Sequence, residues 1–413
     1  MGRASMIMVM SYSTVLMMMG YNISKVSTQA YENYIGYYDR TNAHNIVASA
    51  ANMAAYQLYD SAQWRAGFTD KPIFGGTATA TITQQLNADS TLKLHIVASY
   101  KTYTDTVIVI LRPSSFSKFS YYSNIEGNIW WTTGDTVWGP IHTQDYLGVA
   151  NSPVFMGKAT AKLGLEKYNK SATPQFLGGP FEGGVDIALP SNLNQLTAAA
   201  AAGGRFINRT DSAEVRITFN GDSAVVRYGP NPPDTTVYLP TWAPNGAIVV
   251  RGGNLRVKGN VNQSLTLGAI RAPGQNEWNN TGKVRFDDNF TYTVDPVLYP
   301  DSNTTTIVGV VAQDSLVITD NSANDPDIKI HAALFSLEKG LGAEHYNNNN
   351  ERGKIELLGG ITQNKRAAVG TFSGGSITSG YSKRYRYDER LRSIKPPFFP
   401  STGSYEVLSW YER

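Results

Sequence analysis

The first 64 residues show the clearest hydrophobic pattern in the chain. After Gly2 the only glycines in this stretch are Gly20 and Gly36, and the first proline is Pro72. One helix of about 60 residues, roughly 90 Å long, is therefore permitted, because nothing interrupts its backbone hydrogen bonds. Residues 4–24 carry no charge, whereas apolar residues further along recur at spacings of three and four. The pattern predicts an apolar tip followed by an amphipathic half, whose stripe comprises Tyr31, Tyr34, Tyr37, Tyr38, Ile46, Val47, Ala50, Ala51, Ala54 and Leu58.

The apolar tip from Ala4 to Ile23 is long enough to cross the roughly 30 Å of a bilayer core. Serine and threonine hydroxyls interrupt it, but in a helix they can hydrogen-bond to their own backbone, and small residues such as Gly20 let helices approach closely. Seven of the nine methionines lie within the first nineteen positions, and methionine tolerates both lipid and protein surroundings. We predict that this helix resides in a membrane and later packs into a protein bundle. The side chains predicted to carry that assembly are Met6, Met8, Val9, Met10, Val15, Leu16, Met17 and Met19.

Two simpler roles for the apolar tip have to be compared with assembly. A secretory signal peptide also has a basic start and an apolar core, but no A-x-A cleavage site follows here, and the helical pattern continues past Ile23. A plain single-span anchor is the stronger alternative, although an anchor requires no stripe beyond the span. The long stripe therefore favours assembly.

A short basic start, an apolar segment and an amphipathic continuation occur together in GRASMIMVMSYSTVLMMMGYNISKVSTQAYENYIGYYDRTNAHNIVASAANMAAYQLYDS. This stretch resembles the N-terminal helix of type IV pilins and of PilX-like minor pilins and pseudopilins. The resemblance implies insertion into inner-membrane lipid, handling by the pilus assembly machinery and polymerisation with copies of the same chain. Pilins are cut after a glycine, for which Gly2 is the candidate here. Ile7 would then be the fifth residue, where most major pilins carry glutamate.

Alternation with a period of two begins after Gly75-Gly76 and predicts β-strands. Threonines at alternate positions from Thr77 to Thr83 face away from the apolar residues between them. A second alternating run, Leu92 to Ala98, follows the turn residues Asn87 to Ser90, and a third run spans Thr106 to Leu111. We predict an antiparallel sheet whose apolar face packs against the helical stripe. The pilin resemblance implies the same small sheet.

Residues 114–240 combine aromatic residues with turns and predict a β-rich insertion. Its aromatic clusters serve as core or subunit contacts more often than as platforms for sugars. The aromatic residues concerned are Tyr121, Tyr122, Trp130, Trp131 and Trp138.

Local signals divide the second half of this insertion. Ser191 is predicted to cap a short helix from Asn192 to Ala202, with Gly203 after its end. Two apolar runs joined by Asn220-Gly221-Asp222 predict a hairpin over 215–228. Four prolines between Pro230 and Pro240 predict a connector.

Very short apolar runs follow the connector, separated by glycine pairs and by clusters of Asp and Asn. Repetition of this kind without hairpin spacing predicts a coiled β-solenoid rather than a sandwich. The predicted strands are 247–250, 255–258, 264–267, 284–286, 307–311, 315–319, 328–333 and 354–358. Residues 245–413, through IHAALFSLEKGLGAEHY, IELLGGITQNKRAAVGTF, YSKRYRYDERL and YEVLSW, also resemble the C-terminal part of PilX-like and DUF4900-type surface proteins. That resemblance implies a fold and an envelope location without any settled chemistry.

The composition agrees with an exported structural protein. The 413 residues leave room for two or three domains, and charged residues are only 17%, with tyrosine, glycine, threonine and asparagine in their place. Cysteine is absent, which excludes disulfides and thiolate metal sites. The net charge of +3 is too small to argue for nucleic acid.

Candidate chemistry is sparse. The histidines do not show the paired spacing of metal ligands, and Asp287-Asp288 with Asp295 and Asp301 lacks the pattern of a calcium loop. We therefore predict no metal, no cofactor and no catalytic residue, and we do not expect an enzyme. The five histidines are His44, His95, His142, His331 and His345.

One basic run near the C-terminus interleaves cations with tyrosines, a mixture typical of proteins that bind single-stranded nucleic acid. Asp388 and Glu389 dilute it. We interpret it as a surface tail or a subunit contact and predict no nucleic-acid partner. The run comprises Tyr381, Lys383, Arg384, Tyr385, Arg386, Tyr387, Arg390, Arg392 and Lys395.

The predicted fold is α+β: a long hydrophobic N-terminal helix, pilin-like, packed on an antiparallel sheet and followed by a β-rich domain, a β-solenoid. The predicted regions are the helix (1–65), the sheet (72–113), the aromatic β insertion (114–240), the solenoid (241–380) and a basic Tyr/Pro-rich tail (381–413). The predicted function is that of a structural subunit of an extracellular type IV pilus-like filament at the cell surface. Two alternatives stay open: a membrane-anchored solenoid that binds or cleaves glycans, and a minor or tip pilin.

Overall fold

The computed structural model describes residues 2–84, 91–127, 129–209, 211, 213–231, 233–373 and 376–412. The chain divides into two compact units: unit 1 is Met1–Ser114 with Gly403–Arg413, and unit 2 is Ser115–Thr402. The coarse α+β prediction is confirmed, since a long N-terminal helix is followed by a large β-rich region.

The helices are α1 (Arg3–Asp60), α2 (Asn194–Gly203) and α3 (Leu239–Trp242), with 3₁₀ turns at Phe116–Lys118, Glu277–Asn279, Pro300–Ser302 and Glu389–Arg392. The first strands are β1 (Phe68–Ile73), β2 (Gly76–Gln84), β3 (Leu92–Tyr100) and β4 (Tyr103–Ser115). They are followed by β5 (Tyr121–Ile125), β6 (Thr136–Val137), β7 (Ile141–Thr143), β8 (Tyr146–Val149), β9 (Val154–Phe155), β10 (Ala159–Ala161), β11 (Gly164–Lys167), β12 (Gln175–Phe176), β13 (Glu182–Gly183), β14 (Arg205–Asn208), β15 (Val215–Gly221), β16 (Ser223–Tyr228) and β17 (Thr235–Tyr238). The last strands are β18 (Ala247–Arg251), β19 (Leu255–Val261), β20 (Leu265–Ile270), β21 (Val284–Tyr292), β22 (Val308–Ala312), β23 (Leu316–Ile318), β24 (Ile328–Ser336), β25 (Leu341–Ala343), β26 (Glu351–Lys365), β27 (Gly370–Ser373), β28 (Ser376–Tyr387) and β29 (Ser401–Glu412).

Unit 1 is a sheet with the strand order β1-β2-β3-β4-β29, packed against α1. β2 and β3 pair antiparallel, as do β3 and β4, where Leu92 lies opposite Leu111. The sheet contributes fully buried side chains such as Leu94 and Ile96, and the helix contributes Val47 and Leu58. The predicted antiparallel sheet and its packing on the helix are therefore confirmed. The predicted turn Asn87–Ser90 lies outside the described residues.

The helical stripe is shorter than predicted. From Ile46 to Leu58 its apolar residues are buried against the sheet. The four tyrosines before them stay exposed by 53% or more, because the sheet does not cover that part of the helix. These are Tyr31, Tyr34, Tyr37 and Tyr38.

Unit 2 is built mainly from short parallel strands arranged in two ladders. The first ladder runs through β14, β18, β20, β22, β24 and β26 and continues through β5, β7, β10 and β13. The second runs through β15, β19, β21, β23 and β25. From β18 to β26 the chain alternates between the two ladders, so each strand pairs with the next strand but one. The eight short strands predicted between residues 247 and 358 are all found here.

The central strands β18, β20 and β22 of the first ladder are buried on both faces, which explains their nearly continuous apolar sequence. In β18, Ile248 and Val250 belong to one hydrophobic core, while Ala247 and Val249 belong to a second. Leu196 of α2 packs in the second core. The helix therefore covers the face of the ladder that lies opposite the main core.

The local predictions between residues 191 and 240 are confirmed in part. The hairpin is confirmed, since β15 and β16 pair antiparallel. α2 begins later than predicted, and Asn192 Oδ1, rather than Ser191, accepts a hydrogen bond from the backbone N–H of Asn194 at 3.0 Å. The predicted connector Pro230–Pro240 contains β17, which pairs with β16, and the start of α3.

The C-terminal region is not a tail. β28 pairs in parallel with β26, and β29 joins the edge of the unit 1 sheet next to β4. The predicted boundaries at residues 240 and 380 both lie inside unit 2.

Candidate assembly surface and a groove in unit 2

The apolar tip of α1 is uncovered along its whole length. Every residue from Gly2 to Ile35 is exposed, and we call residues 4–35 the exposed segment. By length and composition α1 is long and apolar enough to cross a membrane, and its most apolar stretch is not buried. The eight side chains predicted for assembly are exposed by between 52% and 75%, and their role stays a prediction. They are Met6, Met8, Val9, Met10, Val15, Leu16, Met17 and Met19.

Four hydroxyls of the exposed segment, those of Ser5, Ser11, Thr14 and Thr28, are satisfied within the helix itself. Ser11 Oγ donates a hydrogen bond to the carbonyl oxygen of Ile7 at 2.8 Å, and Thr14 Oγ1 donates to that of Met10 at 2.7 Å. This confirms the predicted bonding of hydroxyls to their own backbone. At these positions a neighbouring helix or a lipid tail would therefore meet no unpaired hydroxyl.

An ion pair marks the point where α1 meets the sheet. Asp39 is 4% exposed, and its carboxylate accepts hydrogen bonds from Lys101 Nζ at 2.8 and 3.0 Å. This carboxylate raises the pKa of Lys101. One turn further, His44 Nδ1 lies 2.9 Å from Asp105 Oδ2. These contacts, with the apolar face that follows, fix the position of the helix on its sheet.

Four of the five histidines considered as metal ligands each contact a different residue. His142 bonds to Thr160 at 2.7 Å, and His345 lies 2.6 Å from Asp320. His331 lies 3.9 Å from Asp295. The backbone carbonyl of His95 accepts a hydrogen bond from Thr81 Oγ1 at 3.2 Å.

The four aspartates considered for calcium also do not point to one common site. Asp287 pairs with Arg256 at 2.6 Å, and Asp295 Oδ1 accepts from the backbone N–H of Val297 at 2.8 Å. Among the described residues no group of three histidine or carboxylate side chains is arranged to hold a metal ion.

The basic run separates into two parts. Arg390 pairs with Asp388 at 2.6 Å and Arg392 with Glu389 at 2.9 Å, so these cations serve local ion pairs. Lys383, Arg384 and Arg386 instead line a groove in unit 2.

This groove has a volume of about 990 Å³ and runs beside the C-terminal half of β28. Trp131 and Trp138 contribute to its wall, together with Tyr385. The sequence gives no sign that the tryptophans and the basic run belong to one site, because 245 positions separate Trp138 from Lys383 in the chain. Only the folding of residues 121–183 onto the end of the first ladder brings them together.

No family model matches this chain, and no curated protein matches its sequence. Among solved structures, the competence-associated pilin ComZ from Thermus thermophilus aligns with 91% of this chain and 97% of its own, at a TM-score of 0.37 and 13% identity. Similarity at this level does not establish a shared fold. The resemblance to type IV, PilX-like and DUF4900-type proteins accordingly rests on the residues quoted above.

Proposed function

We propose that this chain is a structural subunit of an extracellular type IV pilus-like filament, assembled through the exposed segment of α1. The observation that carries the proposal is the contrast between the two halves of one helix. The apolar stripe of residues 46–58 is covered by the sheet, whereas the apolar side chains of the exposed segment have no cover. A large uncovered apolar surface is typical of a protein or membrane interface.

The energetics favour burial of the segment. At roughly 25 cal/mol per Å², each large side chain moved out of water contributes on the order of 2 kcal/mol. The eight predicted side chains together would then contribute on the order of 15 kcal/mol before the cost of association. In a polymer this contribution is repeated at every subunit.

The same segment suits both stages of pilus assembly. Its uncharged residues 4–24 reach across a bilayer core of roughly 30 Å, which allows it to wait in inner-membrane lipid. Gly20 and the satisfied hydroxyls then permit close packing against neighbouring copies, after the assembly machinery has extracted the chain. The β-rich units would be displayed outside the helical bundle, at the cell surface.

We further infer that the parallel ladders of unit 2 coil as a β-solenoid. The alternation of the chain between two ladders supports this, as does a stack of Gly139, Gly157 and Gly178 at intervals of about 20 residues, which is the length of one solenoid coil.

A charge placed in the exposed segment tests the filament. Met10→Asp introduces an ion where Met10 is 67% exposed, and we expect it to abolish filaments. Tyr56→Asp is the matched control, since Tyr56 lies on the same helix, is 68% exposed and is outside the segment. Negative-stain microscopy of sheared surface material, with mass spectrometry, gives the result. Normal fibres from Met10→Asp would reject the proposal.

Cysteine cross-linking covers the case in which Met10→Asp fails to insert into the membrane. The chain contains no cysteine, so Val9→Cys would be the only thiol in the chain. We expect cross-linked pairs of full-length chains for Val9→Cys and none for Tyr168→Cys, which is exposed in unit 2. Separate lipid-bound molecules without cross-links would favour the anchored alternative. A few copies per fibre would indicate a minor or tip subunit.

A further inference from the structure

The groove beside β28 exposes an aromatic residue that the core does not use. Trp138 is 54% exposed, although tryptophan is usually covered in a folded protein. Nearby Trp131 is already engaged: its ring packs edge-on against Tyr121 at 5.2 Å, and Arg366 lies 5.0 Å from its centre. Trp138 makes no such ring contact within the described residues. It is therefore available as a flat apolar platform.

The same groove contains cations without partners. Within the part of the chain that the structure describes, Lys383, Arg384 and Arg386 make no ion pair and no side-chain hydrogen bond. Other cations on the wall are paired: Arg366 lies 3.1 Å from Glu126, and Lys329 lies 3.5 Å from Glu356. Three unpaired cations within four consecutive residues of β28 favour an anionic ligand.

The environment of Lys383 agrees with this arrangement. Partial loss of hydration between the groove walls, in a side chain that still reaches solvent, and then the neighbouring Arg366 guanidinium lower the pKa of Lys383 to about 8. Asp135 and Glu126 face it more weakly and act in the opposite direction. An anion in the groove would restore the charge balance of this lysine.

Carboxylates also line the groove, and they constrain the ligand. Asp135, Asp295 and Glu389 accept hydrogen bonds but repel a chain of phosphates. A ligand suited to all these groups has hydroxyls to donate, an apolar face to stack and a moderate negative charge.

We propose that this groove binds a short stretch of an acidic polysaccharide, with Trp138 stacked on a sugar ring and Lys383, Arg384 and Arg386 paired with its carboxylates. Tyr385 lies on the same strand between the cations, lines the groove and packs against the main core. A DNA strand fits less well, because its sugars carry no 2′-hydroxyl that could donate to the groove carboxylates. The site lies within unit 2 and does not depend on filament formation.

Calorimetry with the full chain in detergent tests the site. The acidic probe is trigalacturonate, the neutral probe is maltotriose, and a short oligothymidylate represents nucleic acid. We expect trigalacturonate to bind at least about tenfold more tightly than maltotriose. Met10→Asp should bind it as the wild type does, so failure of this site and failure of the filament proposal are distinguishable.

Three variants locate the binding. Trp138→Ala removes an exposed ring and leaves the core intact, and we expect affinity for trigalacturonate to fall about tenfold or more. Lys383→Gln should reduce the preference for the acidic over the neutral probe. Trp278→Ala is the matched control, because Trp278 is 86% exposed in unit 2 and does not line the groove.

The pH dependence supplies a readout that a structural role would not give. Affinity should decrease from about pH 7 to about pH 9 in the wild type, as Lys383 loses its proton, and should stay constant in Lys383→Arg. The charged groups that face Lys383 are Arg366, Asp135 and Glu126.

Four results would overturn the proposal. The first is no binding of trigalacturonate at about 1 mM, and the second is equal binding of maltotriose. The third is an effect of Trp138→Ala no larger than that of Trp278→Ala. The fourth is tighter binding of the oligothymidylate that is lost in Trp138→Ala, which would assign the groove to nucleic acid.

Discussion

The guanidinium of Arg271 donates a hydrogen bond to Asp314 Oδ2 at 2.6 Å, and the Asp314 side chain is completely buried. Lys339 Nζ lies 3.1 Å from the same oxygen, and Ser315 Oγ donates to the other oxygen at 2.8 Å. Arg271, Asp314 and Lys339 lie in the connections that follow β20, β22 and β24, three consecutive strands of the first ladder. One carboxylate therefore holds three successive connections together.

Removal of this carboxylate should destabilise unit 2 strongly. In Asp314→Ala, Arg271 keeps its ion pair with Glu338 but loses its buried partner Asp314, and we expect the free energy of unfolding to fall by about 1.5–3 kcal/mol. Urea unfolding followed by tryptophan fluorescence measures the change. Asp234→Ala is the control, since its pair with Arg227 is exposed to solvent and should not matter measurably. Equal urea midpoints for the two variants would contradict the prediction.

A methyl group at Gly157 should disrupt the stacking of residues 139–178. A Cβ at Gly157 would lie 2.2 Å from the carbonyl carbon of Gly139, a contact with backbone that cannot move aside. We expect Gly157→Ala to lower the free energy of unfolding by at least about 1–3 kcal/mol. Thermal unfolding followed by circular dichroism measures it.

The matched control for this substitution is Gly183→Ala. The nearest atom to a Cβ there is 3.5 Å away, an ordinary contact, and neither glycine has a positive φ. The two sites therefore differ in the approach of neighbouring backbone, and Gly157 is buried whereas Gly183 is exposed. A melting temperature of Gly157→Ala equal to that of Gly183→Ala would contradict the prediction, because it would show that the backbone at Gly139 can move away from Gly157 without cost.

His142 should make unit 2 sensitive to mild acid. Burial lowers the pKa of His142 to about 4, below its usual value of 6.5, so the folded state binds fewer protons than the unfolded state between those values. The stabilisation is complete above about pH 6.5 and is lost as pH falls towards 4, with a total on the order of 3 kcal/mol. Gln144 and Asp186 oppose the shift, and Lys118 adds to it.

The variant that isolates this effect is His142→Phe, which preserves a ring against Tyr122, 5.4 Å from the histidine ring centre. We expect the variant to lose less stability than the wild type between about pH 7 and pH 4.5, because the phenyl ring does not titrate. Unfolding in urea at both pH values gives the comparison. An identical loss in the two proteins would assign the acid sensitivity to carboxylates instead.

Elements with a strong local pattern could be predicted from the sequence. The helix, the antiparallel sheet, the hairpin and the short strands each carry a period or a turn signal within a few residues, and those signals do not depend on the rest of the chain. The extent of burial along α1 could not be predicted in this way. Tyr38 and Val47 both fit the stripe, but only Val47 lies where the sheet reaches the helix.

Pairings between distant segments were not predictable. Ile361 of β26 lies opposite Tyr121 of β5, so the aromatic region predicted as an insertion extends the first ladder. β29, predicted as a tail, joins the unit 1 sheet beside β4. No local pattern specifies which strand pairs with which when the partners are hundreds of residues apart, because many short apolar strands present similar edges.

The sequence by itself determined a long helix with an uncharged apolar tip, strands of alternating polarity and a chain without cysteine, since these follow from residue type and spacing. The tertiary structure decided which half of the helix is covered and how the strands of unit 2 pair. It also decided that Trp138 and Lys383 line the same groove. The physical reason is that burial and pairing are properties of two surfaces brought together. The pattern of either surface alone is compatible with several partners.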